Sequence, residues 1–136
     1  MCSMSGAERS YFVAGNLARY YNRGTRNIPE AHVVNGTVVD EAHSREIIKR
    51  GLELGVNFFD TAIVYQSGTS EQYLGRTLRD CAKRKDVVVA TKFLPRTQEE
   101  IKNGVTGQQH IARMIEKSLA NLGMDYVDLY IYHMWD

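Results

Sequence analysis

The sequence predicts an α/β protein in which parallel strands alternate with helices. Three observations predict it. Apolar runs of strand length recur after segments with helical apolar spacing. Each of these runs ends in an ionisable side chain, Asp60, Lys92 or His133. The intervening segments are long enough for helical crossovers, which set successive strands parallel and right-handed.

The elements follow in order from Asp40. Asp40 is a candidate helix N-cap, with Glu41 in the favourable first turn. Ile48 and Leu52 lie one turn apart, Ile47 and Leu54 accompany them, and Gly55 offers a left-handed stop. Val56-Asn57-Phe58-Phe59 reads as a buried strand closed by Asp60, and a loop runs on through Gly68. Thr69-Ser70-Glu71-Gln72 has the spacing of a capping box. Leu74, Leu78 and Ala82 form the buried stripe of a second helix, and Lys83, Arg84 and Lys85 read as its solvated cationic end. Val87 to Thr91 is a continuous run ending in Lys92, expected to be a strand buried on both faces. Thr97 to Glu100 gives another capping box, and Gly104 would close a short helix. Ile111, Ile115, Leu119 and Leu122 mark a longer amphipathic helix stopped by Gly123. The last strand is expected from Tyr126 to Tyr132, ending at His133, with Tyr126, Tyr130 and Tyr132 packing on one face.

Residues 1–39 show no sustained period. Apart from a turn signal at Asn35-Gly36, they are a poorly determined segment ahead of a domain over 40–136. The order of elements does not by itself separate a barrel from an open, doubly wound sheet.

Composition excludes several functions. The chain has 136 residues, 43% hydrophobic and 24% charged, with a formal net charge of +1. That size suits one domain, and so weak a field favours neither nucleic acid nor an anionic membrane. No apolar run is long enough for a membrane span. The first twenty residues contain Glu8, Arg9 and Arg19 and lack the apolar core of a secretory leader. Cys2 and Cys81 give neither a disulfide framework nor metal spacing, so a reducing cytoplasm is expected and Cys81 is read as packing. His32, His43 and His110 have no partner spacing and are expected at the surface. Gly68, Gly75 and Gly104 do not form a phosphate-cradling loop.

In parallel α/β folds catalytic groups gather at the carboxyl edge of the sheet, where Asp60, Lys92 and His133 would all emerge. Tyr65 follows Asp60 by five residues on the loop leaving that edge. A carbonyl that accepts a hydride needs a proton at its oxygen. A tyrosine can give it, although its ordinary pKa of about 10 is high for neutral solution. A neighbouring ammonium favours the phenolate, a carboxylate can hold that ammonium, and an imidazole can orient the carbonyl. No metal is needed.

Phe58-Phe59-Asp60-Thr61-Ala62, Tyr65, Gly68-Thr69-Ser70-Glu71 and Leu74-Gly75-Arg76 together resemble the signature of the aldo-keto reductases. Val87 to Lys92 is similar to that family's lysine strand. Ser118-Leu119, Leu122 and Asp125 to Tyr130, leading into His133, are similar to its next motif. The likeness covers about residues 38–136, and its finer detail is to the bacterial branch that also resembles potassium-channel β subunits.

The resemblance implies a partial TIM (β/α)8 barrel, about strands 2 to 4 with their helices. It implies NADPH as cofactor and reduction of aldehydes or ketones. Tyr65 would donate the proton, Lys92 would tune it, Asp60 would hold Lys92 and lie near the cofactor, and His133 would place the substrate. Trp135 would line the substrate pocket. A whole barrel of this kind needs about 250 residues. The sequence therefore reads as a truncated form with little activity alone, inclined to self-associate through exposed half-barrel edges. The rival readings are a regulatory or binding protein of the channel β-subunit type and an inactive gene fragment.

Overall fold

The computed structural model describes the backbone of residues 11–13 and all of residues 39–134. The Asn35-Gly36 turn, His32, Cys2 and Trp135 lie outside the described residues. The elements are β1 (Tyr11–Val13), α1 (Glu41–Glu53), β2 (Phe58–Asp60), a 3-10 turn (Tyr65–Gly68), α2 (Thr69–Cys81), a second 3-10 turn (Arg84–Asp86), β3 (Val88–Phe93), α3 (Gln98–Lys102), α4 (Gly107–Leu122) and β4 (Leu129–Tyr132). The four strands form one sheet in the order β1-β2-β3-β4, every pair parallel. β1 is an addition to the expected set. At three residues it is too short for alternation to reveal it in the sequence.

Strand alternation divides the sheet into two faces. Phe59, Val89, Thr91 and Phe93 point outward to the helices and are buried. Ile48 of α1, Leu74 and Leu78 of α2, and Leu122 of α4 join Phe59, Val87 and Val89 in a single core cluster. Burial of each such side chain contributes about 1.5–3 kcal/mol. An open doubly wound sheet carries helices on both faces. Here α1, α2 and α4 share one face, the arrangement of a barrel wall with its helical sheath. On the other face Asp60, Ala90, Lys92 and Ile131 follow one another across the register pairs Asp60↔Ala90 and Lys92↔Ile131.

Local chemistry explains the helix ends. Asp40 accepts the backbone N–H of His43, Gly55 is left-handed (φ 85°), and Thr97 and Thr106 each close a reciprocal capping box with Glu100 and Gln109. Gly123 ends α4 in the left-handed region. The capping box expected at Thr69 does not form. Gly68 is the N-cap of α2 (φ 95°), and Thr69 lies inside the helix. Gly75 brings α2 and α4 into backbone contact, since a Cβ there would lie 1.9 Å from the Leu122 carbonyl oxygen.

Several expectations about single residues are corrected. Leu54 is 64% exposed and Ile111 43%, so both leave the apolar stripes assigned to them. The buried residues of α4 are His110, Ser118 and, as expected, Leu122. His110 is buried, its Nε2 2.8 Å from the Leu94 carbonyl oxygen and its Nδ1 3.3 Å from Glu100. The exposed His43 pairs with Asp40. Arg84 is no idle solvated cation. It donates to the carbonyl oxygens of Val87 and Tyr126 and to Asp128, while Asp128 also accepts the Val89 N–H, so β3 and β4 are tied at their entry. Tyr126 lies ahead of β4, under the Arg84 guanidinium at 3.9 Å. Tyr130 and Tyr132 do pack on one face, against Phe93.

Candidate active site

The ends of β2, β3 and β4 meet at one rim. Asp60 closes β2, and Lys92 is the penultimate residue of β3. His133 follows β4 directly, and its N–H donates to the Phe93 carbonyl oxygen at 2.9 Å, which carries the ladder one step further. Parity then puts Asp60, Lys92 and His133 on the inward face, because Lys92 pairs with Ile131 and His133 is two residues beyond. The chain leaving β2 stays close to β3, with Thr61 N–H on the Ala90 carbonyl oxygen and Ile63 N–H on that of Lys92.

Tyr65 reaches the rim by a strained turn. Gln66 (φ 50°) and Ser67 (φ 57°) are both left-handed, and Gly68 follows in the same region. The two non-glycine residues cost roughly 1–2 kcal/mol each. The run folds the exit of β2 back into α2 and leaves Tyr65 over the strand ends. Nothing in the polar string Gln66-Ser67 announces this.

The four side chains come together. Lys92 Nζ donates to the Asp60 carboxylate and, at 2.8 Å, to the Thr61 carbonyl oxygen. The side chains of Lys92 and Asp60 are each 14% exposed, so the pair lies in a medium where charges interact more strongly than in water. Lys92 Nζ lies 5.3 Å from the centre of the Tyr65 ring. The Tyr65 hydroxyl is 3.5 Å from His133 Nε2, and the two rings stand edge to face. Burial, and then the charge of Lys92, hold the His133 imidazole below its ordinary pKa, against the opposing pull of Asp60. Its Nδ1 is buried with no hydrogen-bond partner among the described residues.

This set offers a phenolic O–H and an imidazole N–H side by side, with a fixed ammonium behind them. It can grip one oxygen atom of a ligand and deliver a proton to it. The Thr61 carbonyl is a member of the site that sequence reasoning missed, because a main-chain acceptor has no residue signature. Among the described residues no group of His, Cys, Asp and Glu side chains could hold a metal ion. No described helix is long and apolar enough to cross a membrane.

Parallel strands sheathed by helices on one face, with titratable groups at the carboxyl rim, define part of a (β/α)8 barrel. Comparison with known proteins makes this specific: the aldo/keto reductase family matches residues 24–136. A rice (Oryza sativa subsp. japonica) protein named a probable voltage-gated potassium channel subunit beta is 35% identical over 122 residues, covering 89% of this chain and 37% of that protein. The aldo-keto reductase YhdN of Bacillus subtilis is 34% identical over 110 residues, covering 76% of this chain and 32% of that one. Among solved structures, an aldo-keto reductase from Klebsiella pneumoniae in complex with NADPH superposes with a TM-score of 0.59 at 27% identity, covering 71% of this chain and 30% of that chain. The chain belongs to the aldo/keto reductase family, and it spans about a third of the length of these relatives.

Proposed function

We propose that the chain carries the proton-donating half of an NADPH-dependent carbonyl reductase acting on aldehydes or ketones. One observation carries the reading: the Tyr65 hydroxyl and His133 Nε2 lie 3.5 Å apart, beside the Lys92–Asp60 pair. A carbonyl oxygen placed between them accepts a hydrogen bond from His133 and the proton from Tyr65. The charge of Lys92 stabilises the phenolate left behind, and Asp60 with the Thr61 carbonyl keeps Lys92 in position. No side chain of the set supplies two electrons, so the donor set calls for a bound reductant. NADPH, when bound, supplies the hydride that completes the alcohol. Asp60 and the partnerless Nδ1 of His133 suit the reacting end of such a cofactor. The residues that would hold its phosphates are not evident among those described. The relative solved with NADPH supports the choice of cofactor.

Tyr65→Phe keeps the ring and removes the proton donor. It should lower turnover of an aldehyde by at least about 100-fold, the usual scale of general-acid catalysis, in any preparation that consumes NADPH. An unchanged rate would refute the tyrosine assignment.

A second reading is a regulatory subunit that binds NADPH without turnover, and the rice channel β-subunit relative favours it. Titration with NADPH by cofactor fluorescence, alongside aldehyde turnover, separates the two. Binding with no turnover supports the regulatory reading, and no saturable binding removes both for this polypeptide.

A further inference from the structure

Behind the rim, on the helix side of the sheet, lies a carboxylate for which the proposed chemistry has no use. Glu71 is completely buried in the first turn of α2. A charged or polar group is seldom left in such a place without hydrogen-bond partners, and each of its oxygens has one. Thr91 Oγ1 donates to Oε1 at 2.6 Å, and Asn121 Nδ2 donates to Oε2 at 2.8 Å. Thr91 is the residue before Lys92 on β3, its side chain outward where that of Lys92 is inward. Asn121 lies in the last turn of α4 and also abuts Gly68, since a Cβ there would meet Asn121 Nδ2 at 2.6 Å. Gly68 is the end of the strained turn that carries Tyr65. One buried network therefore joins the strand of Lys92 to the turn of Tyr65.

We propose that Glu71 is a positioning residue. Through Thr91 and Asn121 it fixes the Tyr65 turn against the end of β3, and so sets the placement of Tyr65 relative to Lys92 and His133. The consequence for catalysis rests on the reading given above, whereas the geometry does not. A side-chain amide at position 71 can keep both contacts. Its oxygen accepts from Thr91, and Asn121 can rotate its own amide to accept from the new N–H. Geometry, more than charge, is what the network supplies.

The test has a structural arm and a kinetic arm. In chain labelled at histidine and tyrosine, the nuclear Overhauser cross-peak between the Tyr65 and His133 rings is assigned by its loss in Tyr65→Phe. Glu71→Ala should abolish this peak, and Glu71→Gln should retain it. In a preparation that reduces an aldehyde, Glu71→Ala should lower kcat on the order of 100-fold, the scale of a misplacement of about 1 Å, with KM much less affected. Glu71→Gln should restore most of that loss. Should Glu71→Ala fail to fold, Thr91→Val and Asn121→Ala each remove one donor, and each should weaken the cross-peak. A wild-type cross-peak in Glu71→Ala, or in both donor variants, would overturn the proposal, as would a Gln variant as defective as Ala. Wild-type chain that binds NADPH and shows the cross-peak without reducing any carbonyl favours the regulatory reading over the reductase one, and leaves the positioning role standing on the peak.

Discussion

His133 shows how a residue acquires its character from where it is put. Burial and the nearby ammonium of Lys92 favour the neutral imidazole, and Asp60 offsets this only in part. The folded pKa is therefore below the ordinary value of about 6.5. As pH falls, the unfolded chain takes up this proton first, so stability rises with pH across the interval. The contribution of His133 is full above about pH 6.5 and is lost as pH drops through the lowered folded value. His133→Gln cannot titrate and should flatten the acid side of the stability curve, read as urea midpoints at successive pH values. Equal slopes in the two proteins would show that the imidazole is not held neutral by the fold. Tyr130 follows the same physics with the opposite sign: burial first, then the negative charge of Glu71, pushes its phenol up to about 12. Both effects depend on neighbours that are remote in sequence.

At the scale of elements, the packing of α2 on α4 is set by one missing side chain. Gly75 sits in the interior of α2, where replacement by alanine would ordinarily stabilise an exposed helix by up to about 1 kcal/mol. The Leu122 carbonyl oxygen occupies the space a Cβ would need, at 1.9 Å. Backbone cannot yield as a flexible side chain does. Gly75→Ala should therefore destabilise the protein, by about 1–3 kcal/mol as overpacking usually costs. Urea denaturation measures it, and a midpoint equal to or above wild type would show that the helices can separate without penalty. The short strands depend on comparable ties. Arg84 and Asp128 hold the entry of β4 against β3, a role that the cationic run Lys83-Arg84-Lys85 did not advertise.

For the whole molecule, the sheet order among the described residues places β4 at one end, and several apolar side chains in and just after it remain open. Leu129 is 45% exposed, Ile131 38% and Met134 54%. Apolar side chains at the end of a parallel sheet favour association with a surface of like character. In a preparation of the 136-residue chain, the surface of matching character is that of another copy. Sedimentation velocity should find dimers or larger species, and Ile131→Lys should shift the distribution toward monomer. A wild-type chain that stays monomeric at high micromolar concentration would show that this edge is satisfied within the molecule.

The sequence by itself determined the α/β class, the chain positions of three strands, most of the helix ends and the four residues of the rim. These are local matters. Capping residues, left-handed glycines and apolar periods act within a few residues, and Asp60, Lys92 and His133 stand where an apolar run stops. It missed β1, which is too short to show a period, and it put Leu54, Ile111 and His110 on the wrong side of their surroundings. The order of elements left barrel wall and open sheet undecided, and the family resemblance implied the barrel; the tertiary structure shows it directly, because the distinction depends on which face the helices cover. Only it brought Tyr65 to within hydrogen-bonding reach of a residue 68 positions away. It alone showed that Glu71, known from the sequence only as part of the Gly68-Thr69-Ser70-Glu71 motif, is a buried link between strand and turn. The reason is the same in each case: burial and charge environment are set by contacts between segments far apart in the chain, and no window along the sequence contains both partners.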